Sequence, residues 1–192
     1  MGTLDGADAG PGALRTIRAD EEVIAMPVRF APMETELETE RLALRMWQDS
    51  DAGWVRQLTG ERGAGMPTLE ASRRKIAGLR QAAADNGIAL LTIRRRAEAD
   101  FIGYCGLTIG RSTLEEPEIA YELFRRVHRQ GYATEAASAV VDAAIATGRR
   151  RLWSTVRAWN TASLRVLDKI GFERHHSTWD EDGEIVWNVR DL

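Results

Sequence analysis

Apolar Leu42, Leu44 and Met46 alternate with Ala43 and Arg45, the period of a half-buried strand. Asp49 or Ser50 can cap a short helix through Leu58, and Leu69 to Ala84 reads as a second helix stopped at Asn86-Gly87. Ile88 to Arg94, Phe101 to Ile109 and Glu118 to Phe124 are apolar or alternating runs between polar turns, which predicts three strands in an antiparallel meander. Ala133, Ala136, Ala137, Val140, Val141, Ala144 and Ile145 then recur at the three-and-four spacing of one buried helix face, ending at Gly148. A strand over Leu152 to Arg157, a helix over Thr161 to Ile170, and a hairpin of Phe172 to Thr178 with Glu184 to Arg190 around Asp182-Gly183 complete the chain.

This order predicts an α/β (α+β) domain built on a mixed, mostly antiparallel sheet with helices on its faces. The strands near Glu118 to Phe124 and Leu152 to Arg157 are joined by a helix, so they should form a central parallel pair with a right-handed crossover. Upstream, MGTLDGADAGPG is too poor in apolar groups to offset its ordering entropy, and residues 13 to 36 are mixed, with Pro27 and Pro32. The expectation is a loosely ordered extension over 1–33 and a single domain over 34–192.

Bulk properties narrow the function classes. A chain of 192 residues, 44% hydrophobic and 29% charged, can bury one real core. The net charge of -3 has basic and acidic residues spread along the chain, which argues against a general nucleic-acid or membrane-surface binder. Cys105 is the only cysteine, which excludes an intrachain disulfide framework and suits a reducing cytoplasm. No apolar run approaches the roughly 20 residues of a membrane helix.

The chemistry concentrates in RRVHRQGYATEA, where a strand gives way to a helix at Gly131. The first turn of a helix has unpaired N–H groups and a partial positive end, and a glycine there permits an anion to come close. Each dipole contribution is modest, roughly 0.3 to 1 kcal/mol, so several N–H groups must act together on a pyrophosphate. Arg125, Arg126 and Arg129 add positive charge. By themselves these residues equally suit an ordinary strand-to-helix turn.

Two more features bear on a reaction. Asn160 and Ser163 stand three apart at a helix start, nearly on one face, and Asn160 is also a suitable N-cap for the Ser163 N–H. Glu118, Ala120, Glu122 and Phe124 share one side of their strand, so either carboxylate could receive a proton through water; otherwise both are solvent-face charges or salt-bridge partners. A backbone N–H between Ile119 and Leu123 could support a developing oxyanion.

Gly131-Tyr132-Ala133-Thr134-Glu135-Ala136, followed by Asn160, Ser163, Lys169, Gly171 and Phe172, resembles the GNAT N-acetyltransferases over roughly Thr39 to Arg190. The segments ETERLALR, FIGYCGL and PEIAYEL resemble the branch of the ribosomal-protein alanine N-acetyltransferases. His128 departs from that family's Arg or Gln at the first place of the turn, which moves the expected contact to the backbone. The resemblance implies acetyl-CoA as acyl donor, held by Arg129, Gln130, Gly131, Tyr132, Ala133 and Thr134. It implies that Asn160 binds pantetheine or orders the acceptor side, that Ser163 protonates the departing thiolate, and that no metal takes part. The acceptor would be an amine, on a protein N-terminus or a small molecule. A non-catalytic acyl-CoA sensor or interaction module is the rival.

Other conspicuous residues are expected to be structural. His175 and His176 are neighbours in a strand, so their rings should face opposite ways and not chelate one metal. Cys105 reads as a buried thiol, and Arg149 to Arg151 as cations at a helix C-terminus. Trp54 and Trp159 are candidates to line an acceptor cleft.

Overall fold

A computed structural model describes residues 30–63 and 65–192. Its eight strands are β1 (Glu36–Glu38), β2 (Leu42–Arg45), β3 (Leu90–Arg95), β4 (Phe101–Thr108), β5 (Glu118–Leu123), β6 (Arg151–Arg157), β7 (Glu173–Asp180) and β8 (Gly183–Asp191). They form one sheet in the order β1-β2-β3-β4-β5-β6-β8-β7. β1 to β5 make the antiparallel meander, β5 and β6 are parallel, and β8 lies antiparallel between β6 and β7. The helices are α1 (Ala52–Gly60), α2 (Leu69–Asn86), α3 (Tyr132–Ala146) and α4 (Thr161–Lys169).

The local causes are visible at the helix ends. Thr68 caps α2 by accepting the Ala71 N–H at 3.1 Å, and Gly87 closes it in the left-handed conformation, φ +65°. α3 is small and apolar on its inward face, so Ala136, Ala137, Val140 and Ala144 lie flat against the meander and are fully buried. Leu42, Leu44, Leu91, Ile93 and Leu107 complete the core from the sheet side. Of the extension expected over 1–33, residues 1–29 lie outside the described part. Phe30 lies under the Arg149 guanidinium at 4.5 Å, and Met33 is buried.

Two expectations change. β1 appears where no strand was expected, formed by pairing Leu37 with Leu44. His175 and His176 do not face apart: the register of β7 shifts between Arg174 and His176, and this bulge turns both rings together, with Nδ1 atoms 2.8 Å apart.

Candidate functional site

The parallel pair positions the site. Its register is confined to Glu118 opposite Trp153, with the Trp153 N–H donating to Pro117 O at 2.9 Å and the Ser154 hydroxyl to Ile119 O at 3.2 Å. Beyond that point β5 stays with β4 and β6 stays with β8, so the two strands part toward their carboxyl ends. In α/β sheets such a parting at strand carboxyl ends is where ligands bind. The Phe124 N–H donates toward β4, to Ile102 O at 2.9 Å. By strand alternation the N–H groups of Tyr121 and Leu123 therefore lie on the β6 side, along the opening.

Both helices that follow these strands start at the same opening. β5 runs through Phe124 and a 3-10 turn at Arg125–Val127 into the segment before α3. There Arg129 has φ +61° and Gly131 φ +83°. A left-handed Arg129 costs of order 1 to 2 kcal/mol, and such strain in a loop points to a functional constraint. The backbone N–H groups from Arg129 to Thr134 donate to no acceptor among the described residues, and the next, from Glu135, closes α3 on Gly131 O at 3.0 Å. The helix start has no side-chain cap. A row of free donors at a helix N-terminus is the arrangement of an anion cradle.

The side chains around the turn hold it in shape. His128, the departure from the family pattern, folds back so that Nε2 donates to Leu123 O at 2.9 Å, tying the turn to the end of β5. The Arg125 N–H and guanidinium bind Glu61, and Arg126 binds Asp100 and Phe101 O. Of the three arginines expected to face an anion, Arg129 alone is without a hydrogen bond among the described residues. Sequence reasoning missed Arg41, whose guanidinium reaches Gln130 O at 3.1 Å and lies over the Tyr132 ring at 4.5 Å. Glu135 anchors it, accepting from Arg41 Nε at 2.7 Å, Arg41 N–H at 2.9 Å and Thr39 Oγ1 at 2.5 Å. Burial opposes ionisation of Glu135, but the hydrogen bonds from Thr39 and Arg41 outweigh it and hold its carboxyl below the usual range.

At the start of α4, Asn160 Oδ1 accepts the Ser163 N–H at 3.2 Å, the cap its sequence suggested. The Ser163 carbonyl takes a hydrogen bond from the Tyr121 hydroxyl at 3.0 Å, so β5 is stapled to α4 across the opening. The Ser163 hydroxyl makes no hydrogen bond among the described residues. Tyr121 is a second residue that sequence reasoning missed; burial pushes its hydroxyl well above the usual tyrosine range, so it stays a neutral donor.

Glu118 and Glu122 lie on the other face of β5, four residues apart along a regular register. Glu118 is buried, with its carboxylate held by the Arg111 N–H and by Thr155 Oγ1 at 2.7 Å. Glu122 takes both arms of Arg62, Nε at 2.8 Å and a terminal nitrogen. It borders a cavity of about 170 Å³ between this face and α1–α2, walled by Trp47, Leu58, Arg62, Lys75 and Tyr104. Trp54 stacks on Phe101 at 6.0 Å and Trp159 stands exposed, so neither lines this cavity; Trp47 supplies the aromatic wall. Burial pushes the Tyr104 hydroxyl up to about 12 and the Cys105 thiol well above its usual range, which keeps Cys105 an inert core thiol.

The family model for the acetyltransferase (GNAT) domain matches residues 7–173. The chain belongs to the GNAT acetyltransferases, a family of acyltransferases. It is 32% identical over 147 residues, 72% of its length and 82% of the relative's, to the uncharacterized N-acetyltransferase YoaA of Bacillus subtilis (strain 168). The GNAT fold is equally plain in solved structures. The ribosomal-protein-S5-alanine acetyltransferase from Vibrio fischeri superposes with a TM-score of 0.71 at 16% identity, covering 82% of this chain and 97% of that one. RimJ of Mycobacterium smegmatis, solved in complex with CoA-disulfide, gives 0.67 at 21% identity, over 79% of this chain and 82% of that one. The mixed sheet, its single parallel pair and the flanking helices are the GNAT arrangement, as the order of elements in the sequence predicted.

Proposed function

We propose that the chain binds acetyl-CoA across the opening between β5 and β6 and transfers the acetyl group directly to a primary amine. One observation carries this reading: the row of unpaired N–H groups from Arg129 to Thr134 sits at the carboxyl end of a parallel pair that has parted. The cradle takes the pyrophosphate. The pantetheine arm then runs between the strands toward Asn160 and Ser163, and the acceptor amine approaches from the face bearing Glu118 and Glu122.

The chemistry follows from these places. The amine arrives as an ammonium and gives one proton, through water, to Glu118, with Glu122 the second carboxylate on that face. A protein α-amino group, with a pKa of about 7.7 to 8.0, demands less of this base than a lysine-like amine at about 10.4. The neutral nitrogen attacks the thioester carbon, and the carbonyl oxygen takes up charge toward the Tyr121 and Leu123 N–H groups. The C–S bond breaks, and Ser163 hands a proton to the sulfur and regains one from the acylated nitrogen through solvent. Holding thioester and amine together supplies the largest share, up to roughly 7 to 11 kcal/mol in oriented systems.

The test is release of coenzyme A thiol from acetyl-CoA with a panel of peptide and small-molecule amines. The reading expects amine-dependent thiol release and an acetylated product by mass. Tight acetyl-CoA binding without thiol release from any amine would instead identify a sensor.

A further inference from the structure

The cavity beside Glu122 has a charge pattern that the transfer reaction does not require. Glu122 is its acidic wall residue, and both its oxygens are taken by Arg62. Lys75 of α2 lines the same cavity and makes no hydrogen bond or ion pair among the described residues. Lys75 is exposed as a residue, but partial desolvation of its ammonium at the cavity and the neighbouring Arg62 push it below the usual lysine range, with Glu122 only partly compensating. A cation raised in energy in this way gains from an anion brought to it.

The other polar walls are already committed or closed off. Trp47 is buried, 3% exposed, and turns no accessible indole N–H to the cavity. The Tyr104 hydroxyl receives an N–H from Arg62 at 3.4 Å and has Glu122 as a further partner. Lys75 is therefore the charged wall residue left without a partner among the described residues, while Leu58 and Leu79 supply an apolar wall. The volume of about 170 Å³ fits a side-chain-sized group, below the roughly 300 Å³ at which drug-sized pockets begin.

We propose that this cavity reads a carboxylate carried by the acyl acceptor, with Lys75 as its counter-ion. This rests on the acceptor entering from the Glu122 face. The substrate class is then an amine bearing a short acidic group. Its source is either an acidic side chain near a protein N-terminus or a free acidic amino acid.

Calorimetry on the full chain separates these cases. The probes are short peptides with Glu or Gln at each of the first three positions, and free glutamate and glutamine. The proposal expects the best Glu probe to bind about ten-fold or more tighter than its Gln twin, the scale of one charge-assisted hydrogen bond. Lys75→Met should erase that ratio, Lys75→Arg should restore it and Lys75→Glu should invert it. Lys75 is on the exposed side of its helix, and acetyl-CoA affinity should be unchanged in all three. Preference confined to peptides assigns the protein source, and preference for free glutamate assigns the small molecule. Equal binding of Glu and Gln probes, no binding of either, or a ratio untouched by Lys75→Glu overturns the proposal. Thiol release scores the transferase reading separately, because it asks for turnover with any amine.

Discussion

Replacing Glu135 with Gln keeps the shape of the side chain and removes its charge, at the point where α3, the β1–β2 hairpin and the anion cradle meet. Wild-type Glu135 accepts from Thr39 Oγ1, the Arg41 N–H and the Arg41 guanidinium. Its side chain is 17% exposed and that of Arg41 44%, so solvent screens part of the pair. Hydrogen bonds to a charged group are worth about 1.5 to 3 kcal/mol when buried, and the charge in the first turn of α3 adds roughly 0.3 to 1 kcal/mol. Discounting for Arg41, the expected loss is about 1 to 2 kcal/mol. At roughly 2 to 4 °C per kcal/mol for a chain of this size, the melting midpoint should fall by about 2 to 8 °C at neutral pH. The pH dependence has a definite sign. Because the folded carboxyl titrates below its ordinary value of 4.5, the stabilisation is full above that value and is lost as pH falls through the folded one. Thermal melts of both proteins from pH 7 to pH 3 should therefore show a gap at neutral pH that closes in acid. Glu135→Gln should also weaken acetyl-CoA binding several-fold, because Arg41 is then free to leave Gln130 O. Equal melting points at pH 7, or a gap that persists unchanged at pH 3, would refute the reasoning.

Further predictions separate backbone from side-chain roles. Arg129→Gly relieves a left-handed conformation while leaving the N–H row in place. The melting point should hold or rise, and acetyl-CoA affinity should fall by no more than about five-fold, the worth of one exposed charge. Gly131→Val puts a branched side chain at φ +83° beside Arg41, so calorimetry should show acetyl-CoA affinity falling by ten-fold or more. If Ser163 protonates the thiolate, Ser163→Ala should lower kcat by about 10²-fold with an unchanged acetyl-CoA Kd, and unchanged kcat would remove that role.

Much of this architecture is legible in the sequence because it is local. The apolar stripe of α3, the Asn160 cap and the stop at Gly87 depend on residues within a few positions of one another, and they appear where periodicity put them. What was missed depends on distance or on a single inserted residue. Glu36–Glu38 has one apolar residue and becomes a strand only through the edge that β2 offers. The bulge after Arg174 cannot be seen in an alternating pattern, yet it reverses the relation of His175 to His176. The Arg62–Glu122 pair joins residues 60 apart in the chain, so a salt bridge at Glu122 could be anticipated but its partner could not be named. Arg41 and Tyr121 carried no motif of their own; a basic residue just before β2, and a tyrosine facing away from the two glutamates, were the available signals.

The central claim is that backbone N–H groups from Arg129 to Thr134 hold the pyrophosphate of coenzyme A. Amide proton–nitrogen spectra recorded during titration with coenzyme A, and separately with pantetheine, test it residue by residue. The account predicts large shifts of the Arg129 to Thr134 amides with coenzyme A and small ones with pantetheine, which lacks the pyrophosphate. Saturable coenzyme A binding that leaves those amides unmoved would contradict it.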